Sequence, residues 1–263
     1  METNKSQNGR KALLELAFGF LLHVIILVFV AAILQIPSVK ANVPEYFAGI
    51  VSPILSGLCI WLIFCRKEVT IPKPDRTNVY RTILVVLISL GAAIVLNKLM
   101  SDEIIPWDSI SGEHVKQDES MFDIPLYARI LAYCVAAPIG EEMLFRGLIY
   151  KKLRVIYSPK LAIFLSAAIF GIYHGNLMQG IYAFVMGALF AWAYEETGTF
   201  LAPVLMHAVA NTIVNLCVAD AGISQFVYSP AGVLGGLVLA ALGTLFMTKW
   251  PNLLSKKEKQ ENS

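Results

Sequence analysis

Apolar residues run together along this chain in blocks of about 20, the length a helix needs to cross a bilayer, with short polar stretches between them. The polar start METNKSQNGRK leads into LLELAFGFLLHVIILVFVAAIL, roughly residues 12 to 34. A secretory signal has a shorter apolar core of about 7 to 15 residues and a small-residue cleavage site. The run is too long for that and reads as a retained first span. Further spans are expected near 46–65, 82–100, 125–150, 161–176, 178–195, 199–218 and 230–248. A polar, acidic stretch from Ser101 to Asp123 separates the third from the fourth, and the chain ends in KWPNLLSKKEKQENS. The pattern predicts an all-α integral membrane protein of about eight transmembrane helices. It forms a single polytopic domain over 1–263, with no repeat or low-complexity tract.

Lysine and arginine collect at cytoplasmic loops, and their distribution orients such a chain. Lys5, Arg10 and Lys11 precede the first span, while Arg66, Lys67, Lys73, Arg76 and Arg81 follow the second. Lys151, Lys152, Arg154 and Lys160 follow the fourth, and Lys249, Lys256, Lys257 and Lys259 lie in the tail. The alternate loops hold little more than Lys40 and Lys116. Eight spans with both termini cytoplasmic satisfy every one of these asymmetries.

Composition narrows the function. The chain is 57% hydrophobic and 15% charged, with a mean hydropathy of +0.64, which sets it apart from soluble domains. A net charge of +2, with no basic run interleaved with aromatics, gives no sign of nucleic-acid binding. Cys59, Cys65, Cys134 and Cys217 are scattered through apolar segments without a CxxC pair and read as small core residues. Small residues four apart, at Ala183, Gly187 and Ala191 and at Gly232, Gly236 and Ala240, let helix backbones approach closely in lipid.

Against this background the polar residues inside spans stand out, since each charge at a helix centre costs on the order of 2.5–3.5 kcal/mol on insertion scales. The fourth span carries Glu141, Glu142 and Arg146; the fifth FGIYH, with Phe170 and His174; the seventh HAVAN, with His207 and Asn211. Residues four apart share a helix face, so Glu142 can pair with Arg146, as Phe170 and His174 or His207 and Asn211 can meet. Glu141 is rotated by about 100° from Glu142 and is left without that partner. At ~1.5 Å per residue, Glu141, His174 and His207 lie about 14, 20 and 12 Å from the cytoplasmic ends of their spans. They are expected to converge in one pocket opening to the cytoplasm. His23 and His114 read as packing or loop residues.

A carboxylate, two imidazoles and a carboxamide in a partly dry pocket suit hydrolysis. A carboxylate withdrawn from water holds a proton more readily and can act as general base on a water. One histidine can orient that water or bind a metal, and a second with the carboxamide can donate hydrogen bonds to an oxyanion. Glu141, His174 and His207 are also the candidate ligands for a divalent metal such as zinc.

The ordered set Glu141-Glu142…Arg146, Phe170…His174 and His207…Asn211 resembles, in order and spacing, the motifs of the CPBP intramembrane proteases. These are the type II CAAX prenyl endopeptidases, also called the Abi or bacteriocin-processing family. The resemblance covers roughly residues 125 to 215, taken as the protease motif core. It implies that Glu141 activates water with His174, that His207 and Asn211 support the oxyanion, and that Glu142 with Arg146 is structural. The family is named for a metalloprotease, with a metal-free, glutamate-activated water as the alternative. Eukaryotic members remove the last three residues of prenylated proteins. Bacterial members, which the compact length here resembles, include enzymes linked to bacteriocin maturation or self-immunity. The expected activity is intramembrane endopeptidase action on a membrane-embedded or lipidated peptide in the cell membrane. The competing readings are a non-catalytic immunity or scaffold protein, and a proton-coupled transporter.

Overall fold

The computed structural model describes residues 2–66, 69, 76–101, 103–111 and 124–261. Helix makes up 87% of it, and no strand occurs among the described residues. His114, Lys116, Lys67 and Lys73 lie outside the described residues. The helices follow the apolar runs. Helix α1 is Glu2–Leu34, and α2 is Phe47–Ile60 continued by a π-helical stretch, Trp61–Cys65. Helix α3 is Arg76–Leu99. Helix α4 occupies residues 126–156 and alternates α and π turns along its length. Helices α5 (Pro159–Tyr173), α6 (Leu177–Thr197), α7 (Leu201–Ala219) and α8 (Pro230–Glu261) complete the bundle. Three short helical pieces, Pro37–Lys40, Trp107–Ser111 and Ala221–Val227, lie in connections that the apolar pattern left as loops.

Six of these helices are long and apolar enough to cross a membrane. The remaining two have physical reasons to differ. Helix α4 carries the buried charges, and α5 is only 15 residues long, about 22 Å at ~1.5 Å per residue. The chain is a multi-pass membrane protein.

Where helices cross, glycine sets the distance. On α3, a Cβ at Gly91 would fall 2.3 Å from the Gly236 carbonyl oxygen of α8, so the second small-residue stripe packs helices as expected. A similar contact joins α2 to α4: a Cβ at Gly140 would sit 2.3 Å from the carbonyl oxygen of Pro53. On the facing helix, a Cβ at Gly57 would lie 3.0 Å from the Cα of Gly140. Gly140 immediately precedes the glutamate pair, so this crossing also fixes where those carboxylates start.

His23 behaves as a packing residue. It is 1% exposed, and its ring nitrogens bond Ser56 Oγ of α2 at 2.7 Å and the Tyr173 hydroxyl of α5 at 2.9 Å. One imidazole thus ties α1 to two other helices, with both nitrogens satisfied.

Overpacking a close contact of this kind typically costs about 1–3 kcal/mol. Gly140→Ala is expected to lower stability by that amount, read as a lower midpoint of thermal unfolding in detergent. A midpoint equal to wild type would overturn the claim that α2 and α4 meet backbone to backbone.

Candidate active site

The fourth helix presents its two glutamates on a six-residue α segment, Ala137–Glu142, flanked by π-helical stretches Ile130–Ala136 and Met143–Tyr150, the second of which holds Arg146. Widened turns of this kind recur at functional sites because they re-aim side chains without ending the helix. Glu142 and Arg146 remain paired across the junction: Arg146 Nη1 donates to Glu142 Oε1 at 2.8 Å, and both side chains are 0% exposed. The same oxygen accepts a second bond, at 2.9 Å, from Nδ1–H of His207 on α7. A carboxylate only accepts, so Nδ1 is the protonated nitrogen and Nε2 is the one aimed away. Glu142 therefore does more than neutralise Arg146, as the sequence suggested. It also orients His207.

Helix α6 supplies parts the sequence did not reveal. Arg146 Nη2 donates to the carbonyl of Gly187 at 2.8 Å. A Cβ at Gly187 would lie 2.8 Å from both that nitrogen and the Phe170 ring. The first small-residue stripe, expected to serve helix packing, thus also makes room for a guanidinium. Arg146 sits over the rings of Phe170 at 4.6 Å and Phe190 at 5.4 Å, positions in which a desolvated cation is attracted by aromatic faces. His207 in turn stacks on Phe190, with centroids 5.2 Å apart and planes at 24°. Phe190 had no motif to mark it.

His174 is placed by a sharp reversal. It caps the C-terminus of α5, Gly175 follows with φ 76°, and Asn176 caps α6 by accepting from the Gln179 amide at 2.8 Å. The left-handed backbone at Gly175 is one that side-chain-bearing residues rarely adopt. His174 Nδ1–H donates to the Phe170 carbonyl at 2.8 Å, and its ring meets the Phe170 ring edge-on at 4.7 Å. Its Nε2 is left with the free lone pair. Phe170 thus supports Arg146, His174 and His207 together.

Glu141 is the exception among the carboxylates. Its side chain is 19% exposed, and Oε2 lies 3.9 Å from His207 Nε2, beyond hydrogen-bond length. Oε2 is buried and has no hydrogen-bond partner among the described residues. Asn211 Nδ2 donates to the carbonyl of Tyr133 on α4 at 2.7 Å, which commits one of its two amide hydrogens. The described residues contain no group of three or more His, Cys, Asp or Glu arranged to hold a metal ion.

Glu141, His174, His207 and Asn211 all line one cavity of about 1130 Å³. Tyr173, also on its wall, was not singled out by sequence. The cavity wall is built from the start of α2 at Gly49 and Pro53 and the end of α3 at Asn97 and Lys98. It continues through the first half of α4, the end of α5, the start of α6 and the second half of α7. Phe145, Leu148 and Tyr150 in the second half of α4 and Met206 in the first half of α7 are each at most 1% exposed.

Residues 123–213, which hold every one of these motif residues, match the model of the Rce1-like family, described as type II CAAX prenyl endopeptidase. A curated protein of Bacillus subtilis (strain 168), "Putative membrane peptidase YdiL", is 33% identical over 85 residues. That stretch is 32% of this chain and 35% of the relative. No solved structure matches the chain. Residues 123–213 are thus similar to the Rce1-like, type II CAAX prenyl endopeptidase family, and the chain spans about a third of the length of the curated relative it matches.

Proposed function

We propose that this chain is an intramembrane endopeptidase that hydrolyses a membrane-associated or lipidated peptide with a glutamate-activated water. The chain crosses the membrane eight times with both termini cytoplasmic. The observation that carries the reading is the division of labour between adjacent carboxylates. Glu142 Oε1 accepts two hydrogen bonds in a sealed interior, while Glu141 Oε2 has no such partner and faces His207 Nε2 at 3.9 Å beside the cavity. A gap of that width suits a bridging oxygen.

In the proposed reaction Glu141 takes a proton from water, assisted by the Nε2 lone pair of His174. The water oxygen bonds to the peptide carbonyl carbon, and the carbonyl oxygen becomes an oxyanion. The C–N bond then breaks, and the proton held by Glu141 passes to the leaving amine. An oxyanion needs donors, and the family resemblance assigns that support to His207 together with Asn211. Asn211 adds its remaining N–H. Alternative roles in immunity or scaffolding would not require an unpartnered carboxylate beside an oriented imidazole.

The two glutamates should separate in experiment. Offered a membrane-peptide library in proteoliposomes, Glu141→Gln is expected to lose about 10²–10⁴-fold in cleavage, the range of a missing acid–base group, while unfolding like wild type. Cleavage equal to wild type by Glu141→Gln or by His174→Ala would sink the catalytic assignment. Glu142→Ala should instead lower unfolding stability by about 3–5 kcal/mol, since it strands Arg146 without its carboxylate. Chelation is expected to leave wild-type cleavage intact, and loss restored by added zinc would return a metal to the site.

A further inference from the structure

We propose that the active site is reached from the non-cytoplasmic face, and that its substrate is a polypeptide segment presented at that surface. The inference rests on the peptidase reading for the word substrate, but the direction of access stands on the cavity's geometry and the distribution of basic residues.

Chain direction alternates from helix to helix, yet the cavity always takes the same end. On α4 it is lined by Tyr133, Ala137 and Glu141 and by nothing beyond. On α7 it is lined from His207 onward, through Asn211 and Asn215 to Val218. On α6 it takes Met178, Gln179 and Tyr182 from the first turns. It continues past α3 to Ser101 and Glu103, and past α7 to Ser224 and Gln225, the latter exposed. On the other side the path is closed by side chains with almost no exposure: Phe145, Leu148, Tyr150, Phe190 and Met206. Below them Lys152 pairs with Glu15 at 2.8 Å, joining α4 to α1 at the termini face.

The shortness of α5 explains the cavity. At about 22 Å the helix falls short of the ~30 Å hydrocarbon core. Because α5 starts at the termini face, its tip at His174 stops below the opposite surface, and the space above it belongs to the cavity. His174 lies at the bottom of a well rather than at a rim.

Charge identifies the two faces. Arg10, Arg66, Arg81, Lys151, Arg154 and Lys160 lie on the termini side, and the mouth side has Lys40, Lys98 and Arg129. Lys98 is paired with Glu103 at the mouth. The basic face is cytoplasmic by the rule that orients multi-pass chains, so the well opens outward. Its wall carries carboxamides at Asn97, Gln179, Asn215 and Gln225 and hydroxyls at Tyr173 and Tyr182. These both donate and accept, as the amides of an extended peptide require.

Side-specific labelling tests the direction without relying on turnover. With Cys59, Cys65, Cys134 and Cys217 replaced, Gln179→Cys and Gln225→Cys are introduced singly, with Lys160→Cys as the opposite-face marker. A membrane-impermeant maleimide should label Gln179→Cys and Gln225→Cys in intact cells and lose that labelling in sealed inverted vesicles, with Lys160→Cys reversed. Labelling of Gln179→Cys from the inverted side, or equally from both, overturns the proposal. Should Gln179→Cys not fold, Lys98→Cys at the mouth replaces it under the same criteria. In proteoliposomes of fixed orientation, peptide supplied on the mouth side should be cut and peptide on the Lys160 side spared; the reverse also overturns the proposal. Outward labelling with no cleavage from either side would retain outward access and remove the peptidase reading instead.

Discussion

One carboxylate oxygen, Glu142 Oε1, holds the centre of this protein together. It accepts from Arg146 within α4 and from His207 on α7, and Glu142 and Arg146 are both 0% exposed. Ions buried in a low-dielectric interior are tolerated only when pairing and hydrogen bonding replace most of their hydration. Arg146 meets that condition through Glu142, the Gly187 carbonyl and the faces of Phe170 and Phe190. Remove any of these and a charge is left facing apolar surroundings. The consequence for function is positional: His207 cannot rotate freely while its Nδ1 is tied to an oxygen that is itself fixed by a guanidinium.

Backbone geometry converts this anchor into a site. Glu141 and Glu142 are neighbours, so helical rotation alone sends their side chains in different directions. The close crossing at Gly140 and the π turns on either side determine which direction each takes. One carboxylate is driven into the packed interior and the other to the cavity wall. The turn at Gly175 performs the corresponding task on α5. It ends the helix at the residue that must present an imidazole, and Asn176 restarts the chain on the way back.

Much of this was legible in the sequence. The apolar runs foretold the helices, although α1 starts earlier, at Glu2, and α8 runs on to Glu261; four-residue spacing anticipated the Glu142–Arg146 pair and the meeting of Phe170 with His174. FGIYHGN even contains its own stop signal, since Gly followed by Asn is the usual chemistry of a helix end and restart. The unread parts share a cause. Gly187 and Phe190 act on Arg146 from another helix, and no spacing rule within α4 can name a neighbour in space. The bond from His207 to Glu142 likewise depends on how α7 is rotated against α4. Gly140 and Gly57 look like ordinary small residues until the other backbone is seen beside them.

The side on which the pocket opens is likewise beyond residue spacing, and it leads to a broader constraint. Counting residues from one face gives a depth, and a group near the middle of a membrane is at a similar depth from either side. Packing decides which side is closed. The proposed hydrolysis needs water at Glu141, whereas the membrane needs an unbroken barrier to ions. Under the proposed one-sided access, a well closed beneath by Phe145, Leu148, Phe190 and Met206, each at most 1% exposed, meets both demands. The same aromatic floor that stacks on Arg146 and His207 is therefore also the barrier. In this fold, positioning the imidazole and keeping the membrane closed are performed by the same side chains.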